Sequence, residues 1–373
     1  MAGKTKIEWT DATWTPIRAR NLRTGKAGWH CEHATTGCEF CYAESMNLRL
    51  GTGLPFKPGH RRDIEIFLDE TMLTQPLRWK KPRMIFVCSM TDLFARFVTD
   101  EWLDRIFAVM ALCPQHVFQV LTKRPERMRR YITADRIRGQ IAERLAELYV
   151  GIPDVARRWP LTAERAIASA HWPIPNVWLG VSAEDQATAN ERIPDLLATP
   201  AAVRWVSAEP LLGPIDFTWL DDGLRDGTRL IIDALTGSVI CGEDVIDGVF
   251  GNPDPKLDWI VAGGESGPNA RPMHPDWARS IRDQCTAAAV PFLFKQWGAW
   301  IGAEELHLGK LLRLRRRLSE RPLTFTEAAD LATALSVRYE HQSDGTTLLR
   351  AGKKAAGRLL DGRTHDAYPA VRP

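Results

Sequence analysis

Residues 29–46, WHCEHATTGCEFCYAESM, place three cysteines within eleven positions. Cys31, Cys38 and Cys41 follow a C-x6-C-x2-C spacing, which is too compact for relaxed disulfides and leaves one thiol unpaired. The spacing favours a metal ion or an iron-sulfur cluster held by three thiolates. Because structural zinc and closed clusters normally have four protein ligands, three cysteines predict an open coordination position for a non-protein ligand.

The nature of the metal is left open by the cysteines alone. An iron-sulfur cluster is the leading interpretation, and its open coordination position would then make the loop a reactive site. The alternative is structural zinc, with His30 or His33 as the fourth ligand. A third interpretation is that the loop holds no metal.

The whole-chain composition indicates one large domain or two ordinary ones. The chain has 373 residues, of which 45% are hydrophobic, so it can bury a substantial core. It contains no run of about 18 apolar residues and no signal-peptide pattern, which predicts a soluble, cytoplasmic protein that does not bind membranes. Four isolated cysteines fit a reducing compartment and are expected to be small apolar fillers, namely Cys88, Cys113, Cys241 and Cys285.

The formal net charge of +3 does not by itself indicate a nucleic-acid partner. Residues 300–373 carry thirteen Lys and Arg against nine Asp and Glu, so the rest of the chain is close to neutral. The basic clusters at 313–317 and at Lys353 and Lys354 suit either a polyanion or a solvated helix face. Tryptophans near the loop are expected to shield a cluster or stack on a ligand, and Trp297 is expected to be exposed for stacking on a base.

Beyond the cysteine loop the chain repeats a short apolar run followed by a helical pattern. Continuous apolar runs separated by helices are typical of parallel strands covered on both faces. The predicted first strand is 7–18 and the first helix is 41–50; the later strands are 84–88, 117–121, 177–181, 203–206, 259–262 and 291–294. These elements predict a partial or complete (β/α) barrel over residues 1–299.

Two segments depart from this repeat. Residues 216–256 are predicted to hold an inserted hairpin, RLIIDALTGSVICGE, with a Thr-Gly-Ser turn. Residues 300–373 are predicted to form a C-terminal extension with an Arg-rich helix, a second helix near 326–336 and a hairpin over 336–352. Its tail is expected to return to the barrel or to contact a separate partner protein.

Polar or charged residues follow every predicted strand. Chemistry in such barrels gathers at the C-terminal ends of the strands, so these residues are expected to line one mouth. The candidate catalytic groups are Lys123, Glu209, Glu265 and Lys295, and the candidate cofactor-binding groups are Ser89, Thr91, Asp92, Ser182 and Glu184. Arg124 and Arg271 would add positive charge suited to phosphates. Each residue alone also suits a helix cap or a loop.

The cysteine loop resembles the cluster loop of radical S-adenosyl-L-methionine (SAM) enzymes. The shared residues are Phe40 before the last cysteine and the sequence CYAE at 41–44 that leads into a helix; the first gap is six, where three is commonest in that family. In those enzymes three cysteines hold a 4Fe-4S cluster whose fourth iron chelates SAM, and the reduced cluster cleaves SAM to a 5′-deoxyadenosyl radical. The resemblance implies the same role for Cys31, Cys38 and Cys41. It also implies that Tyr42 and Asp92 help to seat SAM, with Asp92 receiving its ammonium group.

Over most of its length the chain resembles a phage-associated, three-cysteine-motif family of uncharacterised function. The matching segments are EWTDATWTPI, GCEFCYAE, SMTDLF, LTKRPERM, WLGVSAED, SAEPLLGPIDF, AGGESGPNARPMHPDW, FKQWG and GKKAAGRLLDGRTHD. Members are described as radical-SAM-like, and their loop is similar to that of the spore photoproduct lyase group, which repairs DNA. Membership of this family does not supply a reaction; the leading hypothesis is an enzyme that cleaves SAM and acts on nucleic acid or a nucleotide, in DNA modification or repair. The alternative is a non-catalytic zinc or iron-sulfur module in a phage or defence complex.

Overall fold

The computed structural model describes residues 5–151, 171–225, 227–242, 244–246, 255–305 and 338–370. The basic cluster at 313–317 and the helix predicted near 326–336 lie outside the described residues. In the part of the chain that the structure describes, no helix has the length and apolar character needed to cross a membrane.

Strands and helices alternate along the chain. The strands are β1 (Ala12–Trp14), β2 (Ile17–Asn21), β3 (Ala27–Gly28), β4 (Ile64–Leu68), β5 (Met84–Val87), β6 (Val117–Thr122), β7 (Val177–Ser182), β8 (Val203–Ala208), β9 (Leu220–Arg225), β10 (Thr228–Ile232), β11 (Val239–Cys241), β12 (Asp244–Ile246), β13 (Trp259–Gly263), β14 (Phe292–Gln296), β15 (Ile301–Gly302), β16 (Tyr339–His341) and β17 (Thr347–Leu349). The α-helices are α1 (Tyr42–Leu50), α2 (Glu70–Leu73), α3 (Asp100–Ala111), α4 (Pro125–Ile132), α5 (Ile137–Gly151), α6 (Gln186–Leu197), α7 (Pro275–Ala287) and α8 (Lys353–Ala356). Short 3-10 helices cover Thr36–Cys38, Pro58–Asp63, Pro76–Arg78 and Ala303–Glu305.

Seven parallel strands form a curled half-barrel. Their order in the sheet is β1, β5, β6, β7, β8, β13 and β14, which is also their order along the chain. The prediction of a partial barrel is confirmed, and each of the six later apolar runs forms a strand of this sheet. The registers bring the C-terminal ends of the strands to one edge; Ser182, for example, lies opposite Ser207.

The first strand is shorter than the sequence pattern predicts. Only β1 of the predicted 7–18 strand pairs in the barrel sheet, parallel to β5. The chain then enters β2, which pairs antiparallel with β3 and β4 in a separate three-stranded sheet. Pro16 lies between the two strands and has no N–H to donate, so a continuous ladder cannot pass through it.

The insertion after β8 is larger than the predicted hairpin. The hairpin itself is present as β10 and β11, with Ile231 opposite Ile240. On either side β9 and β12 extend it to a four-stranded antiparallel sheet. The hairpin predicted at 336–352 is also present, as β16 and β17, and β17 pairs with β15 beyond the end of the barrel.

Tryptophans fill the half-barrel towards the N-terminal ends of its strands. The ring centroid of Trp205 lies 5.1 Å from that of Trp9 and 5.4 Å from that of Trp259, and Trp178 lies 5.8 Å from Trp259. All four side chains are buried. Because these rings occupy one end of the interior, the polar residues on the same inner face are left at the opposite end of the strands.

The C-terminal tail covers the edge strand β14. Phe294 N donates to His365 O at 2.9 Å, which gives the open edge a backbone partner. The expectation of an exposed Trp297 is wrong, because this side chain is fully buried and its indole N–H donates to Leu359 O of the tail at 2.7 Å.

Gly180 makes the close approach of Trp205 feasible. A Cβ at Gly180 would lie 2.5 Å from the indole Cε2 and Nε1 atoms, and this Nε1 donates to Val120 O at 3.2 Å, so the ring cannot move without weakening that bond. We expect Gly180→Ala to lower the free energy of unfolding by roughly 1–3 kcal/mol through overpacking. Urea denaturation measures the change.

Gly139→Ala is the matched control for this prediction. An added Cβ there has no neighbouring atom within 4 Å among the described residues, and Gly139 lies in α5, where alanine is the better helix former. Its stability should stay the same or rise by up to about 1 kcal/mol. Equal losses in the two variants would contradict the packing argument.

Candidate metal and cofactor site

A cavity of about 450 Å³ opens at the C-terminal ends of the barrel strands, and its size is typical of ligand pockets. The structure brings most of the predicted site residues to its wall: Cys31, Cys38, Cys41, Tyr42, Ser89, Thr91, Asp92, Lys123, Arg124, Ser182, Glu209, Glu265 and Lys295. The exceptions are Glu184, which lies behind the wall, and Arg271, which is not part of it. Residues from separate strands and from the cysteine loop therefore meet at one place.

The three thiols come from a loop that ends at the start of α1. Cys41 precedes the first residue of that helix, and Cys38 ends a 3-10 turn. Burial raises the pKa of the Cys31 thiol to about 12 and also raises the pKa of Cys41. These two thiols are therefore protonated at neutral pH unless a bound cation stabilises the thiolates.

Arg124 joins the loop to the end of β5. One guanidinium nitrogen donates to Asp92 Oδ2 at 2.8 Å and another donates to Glu32 O at 2.9 Å, next to Cys31. Thr91 supports the same part of the loop, because its hydroxyl donates to His30 O. The backbone on both sides of Cys31 is thus held by residues at the barrel mouth.

Arg271 holds the other half of the loop. Its guanidinium donates to Glu265 Oε1 at 2.7 Å, beyond the end of β13, and to Thr36 O at 3.1 Å. The same group lies 5.2 Å from the centre of the Phe40 ring, between Cys38 and Cys41. Phe40, which carries part of the radical SAM resemblance, therefore contacts an arginine from the barrel.

Asp92 accepts four hydrogen bonds from within the protein. The donors are Phe94 N at 2.9 Å, the Thr122 hydroxyl at 2.7 Å, Lys123 N at 2.9 Å and Arg124 at 2.8 Å. A carboxylate has about four acceptor positions, so this set fills them. Asp92 therefore connects the end of β5 to the end of β6.

Glu184 supports the centre of the loop from behind. It accepts from Lys123 Nζ, from Arg192 at 3.1 Å and from the Thr35 hydroxyl at 3.3 Å. Gly37 lies against it, and a Cβ at that position would come within 2.6 Å of Glu184 Cγ. Only glycine fits there without a shift, which explains the small residue before Cys38.

The cations at the mouth are paired with carboxylates. Lys295 Nζ lies 2.9 Å from Glu209 Oε1, and Glu209 also accepts from the Ser207 hydroxyl at 3.1 Å. The other pairs, already described, are Lys123 with Glu184, Arg124 with Asp92, and Arg271 with Glu265. The mouth therefore carries paired charges, which differs from the positive field expected of a phosphate site.

The two histidines proposed as zinc ligands differ in position. His33 lines the cavity, and its Nε2 lies 2.8 Å from Glu44 Oε2. The His30 ring packs against Phe56 and Phe97, and burial lowers its pKa to about 4. Among the described residues, the cavity wall does not include His30.

The sequence interpretation missed Cys88 as part of the cavity wall, and it placed Gln296 at the end of the last strand without assigning it a role. Cys88 was expected to be an apolar filler, but it lines the cavity and its φ of 56° is unusual for a residue with a side chain. Gln296 also lines the cavity, and its buried Oε1 has no hydrogen-bond partner among the described residues. Cys88 directly follows β5 and Gln296 ends β14. A position at the C-terminal end of a barrel strand was therefore the sequence signal that could have identified both as cavity residues.

Fold and site together define an α/β protein with a thiol-lined cavity at the mouth of a parallel half-barrel. The family described as Protein of unknown function (DUF5131) matches residues 4–369, so the chain belongs to this family. The comparisons with curated proteins and with solved structures return no match. The matched range contains the cysteine loop and every strand of the half-barrel.

Asp92→Asn tests whether this carboxylate is an anchor. An amide would direct N–H groups at existing donors, so we expect the free energy of unfolding to fall by roughly 1–3 kcal/mol, as measured by urea denaturation. Asp135→Asn, at an exposed carboxylate, is the control and should change stability little. Wild-type stability in Asp92→Asn together with weaker SAM binding would instead support the ammonium-binding role that the resemblance implies.

Proposed function

We propose that this protein is an iron-sulfur enzyme of the radical SAM type, in which Cys31, Cys38 and Cys41 hold a 4Fe-4S cluster. The observation that carries the proposal is that all three loop thiols line one ligand-sized cavity at the C-terminal ends of parallel strands. Thiolates are the protein ligands of such clusters, so the donor set fits the group.

The separation of the sulfur atoms favours a cluster over a single zinc ion. Tetrahedral zinc, with each sulfur about 2.3 Å away, needs sulfurs about 3.8 Å apart. Within the described ranges, the loop sulfurs do not form a group of three that lies within 4.8 Å of one another. A cluster distributes its thiolates over several irons and so suits a wider set of ligands.

The residues of the chain position and shield this site. Arg124 and Arg271 hold the loop, and Trp9 forms part of the cavity wall on the side of the buried tryptophans. Gln296 Oε1 offers an unoccupied acceptor for an amino group of SAM. When bound and reduced, the cluster would supply the electron that cleaves SAM to a 5′-deoxyadenosyl radical.

We propose a nucleic acid or a nucleotide as the substrate, in DNA modification or repair of the kind found in phages. The support is the resemblance carried by the cysteine loop and the SMTD strand end. The alternative is a non-catalytic module in which zinc or a cluster only holds the loop. The internal pairing of the mouth cations favours this alternative, and SAM cleavage separates the two.

Metal content gives the first test of the proposal. Protein purified without oxygen should contain about four iron and four sulfide per chain, as the cluster formula requires. Cys31→Ala, Cys38→Ala and Cys41→Ala should each lose this content, whereas Cys113→Ala, at a buried core cysteine, should retain it. Elemental analysis that returns one zinc and no iron would refute the cluster.

SAM binding gives the second test. Gln296→Leu removes the unoccupied acceptor, so we expect SAM affinity to fall roughly tenfold to a hundredfold, with iron content unchanged. Gln115→Leu is the matched control, because Gln115 Oε1 also lacks a partner among the described residues but lies away from the cavity wall. Calorimetry measures affinity, and formation of 5′-deoxyadenosine after reduction measures cleavage. Unchanged affinity in Gln296→Leu would move the SAM contact elsewhere.

A further inference from the structure

A compact group of basic residues stands beside the cavity. It is built from β2, β3, β4, the end of α1 and the 3-10 helix Pro58–Asp63, and we call it the basic lobe. These pieces contact one another, since Leu22 N donates to Asp63 O at 3.0 Å and the Asn21 amide donates to Thr52 O at 3.0 Å. The side chains of the lobe therefore form one continuous surface.

The lobe concentrates positive charge. The lobe segments, residues 17–28 and 47–68, contain eight Lys and Arg against two Asp and Glu, a surplus of six, although the whole chain has a surplus of only three. Seven of the basic side chains are exposed on the lobe: Arg20, Arg23, Lys26, Arg49, Lys57, Arg61 and Arg62. This concentration of positive charge lies outside the mouth.

The cations of the lobe differ from those of the mouth in their partners. Arg20 pairs with Glu65, and Arg61 donates to a backbone oxygen. For the other five exposed cations, no carboxylate lies within ion-pair distance in the described stretches. Unpaired surface cations direct their field into solvent, where they can displace counterions from a polyanion.

The lobe borders the cavity directly. Phe56 is buried and lines the cavity wall, and the next residue, Lys57, is exposed on the lobe. After β3 the chain reaches Cys31 within three residues.

We propose that the basic lobe binds the sugar-phosphate backbone of a nucleic acid and brings one nucleotide to the cavity; the second part rests on the proposed function. Five of the seven exposed cations are arginines, whose planar fork matches phosphate oxygens in two parallel hydrogen bonds. The mouth, with its paired charges, would then accept the reacting nucleotide, which leaves its helix to enter the cavity.

The proposed role of the lobe is tested by measuring the binding of labelled 20-nucleotide DNA, as single strands and as duplexes, and of RNA with the same sequence. The full chain should bind one of these with a dissociation constant of about 0.1 mM or tighter, and affinity should fall linearly with salt on a logarithmic scale. The double variant Lys57→Glu/Arg62→Glu should weaken binding roughly tenfold or more and reduce the salt slope by about two. Fluorescence anisotropy measures both.

Lys80→Glu/Lys81→Glu is the matched control, because these exposed lysines precede β5 at the end of the half-barrel away from the cavity. Binding in that variant should stay within about twofold of the wild type. Equal losses in the two double variants, or a loss confined to Lys353→Glu/Lys354→Glu in the tail, would overturn the assignment to the lobe.

Three exposed leucines also lie in the lobe, at Leu22, Leu48 and Leu50, so anionic phospholipid vesicles form a further arm of the experiment. Lobe-dependent binding to vesicles without binding to DNA or RNA would overturn the proposal.

The triple alanine variant of Cys31, Cys38 and Cys41 separates the binding role of the lobe from the proposed function, since it should bind nucleic acid as the wild type does. If the protein holds no iron and does not cleave SAM but still binds nucleic acid through the lobe, only the proposed function is refuted. If the protein holds a cluster and cleaves SAM but binds no nucleic acid, only the assignment of the lobe is refuted.

Discussion

Two arginines join the cysteine loop to the ends of the barrel strands, and the position of the three thiols depends on them. Arg124 links Asp92 to a loop carbonyl beside Cys31, and Arg271 links Glu265 to the carbonyl of Thr36. Most of the loop has no regular secondary structure, so these charge-assisted hydrogen bonds replace the ladder that would otherwise fix it. The strand-end carboxylates therefore act first as anchors of the cysteine loop.

The half-barrel divides its interior between packing and chemistry. Tryptophans such as Trp205 and Trp259 occupy the N-terminal half of the inner face, and polar side chains occupy the C-terminal half. Because the mouth charges are paired internally, the cavity can exclude water without leaving a buried charge uncompensated. The basic lobe carries five exposed cations that have no carboxylate partner among the described residues, and water solvates them. A neutral chamber beside a positive surface suits a substrate whose charged backbone stays outside.

Much of the fold follows from local patterns in the sequence. The apolar runs at 117–121 and 177–181 predict their strands because side chains on both faces of a covered parallel sheet are apolar. Residues that end such strands could also be predicted, and the predicted site residues other than Glu184 and Arg271 line the cavity. Pro16 has no backbone N–H donor, so a break in the strand could be expected there. The alternation of apolar and polar residues on both sides nevertheless predicted one continuous strand, whereas β2 belongs to a separate sheet.

Which polar residue faces a ligand and which faces a neighbour could not be predicted. Lys123 pairs with Glu184, 61 positions away, and Trp297 is covered by Leu359, 62 positions away. Electron paramagnetic resonance of the reduced, cluster-loaded protein before and after addition of SAM tests the proposed open iron most directly. If the three loop cysteines hold a 4Fe-4S cluster, SAM should shift its g-values by binding the iron that has no cysteine ligand. A cluster spectrum that SAM leaves unchanged would mean that the fourth iron is closed, with Cys88 of the cavity wall as the candidate fourth ligand, and would contradict the proposal.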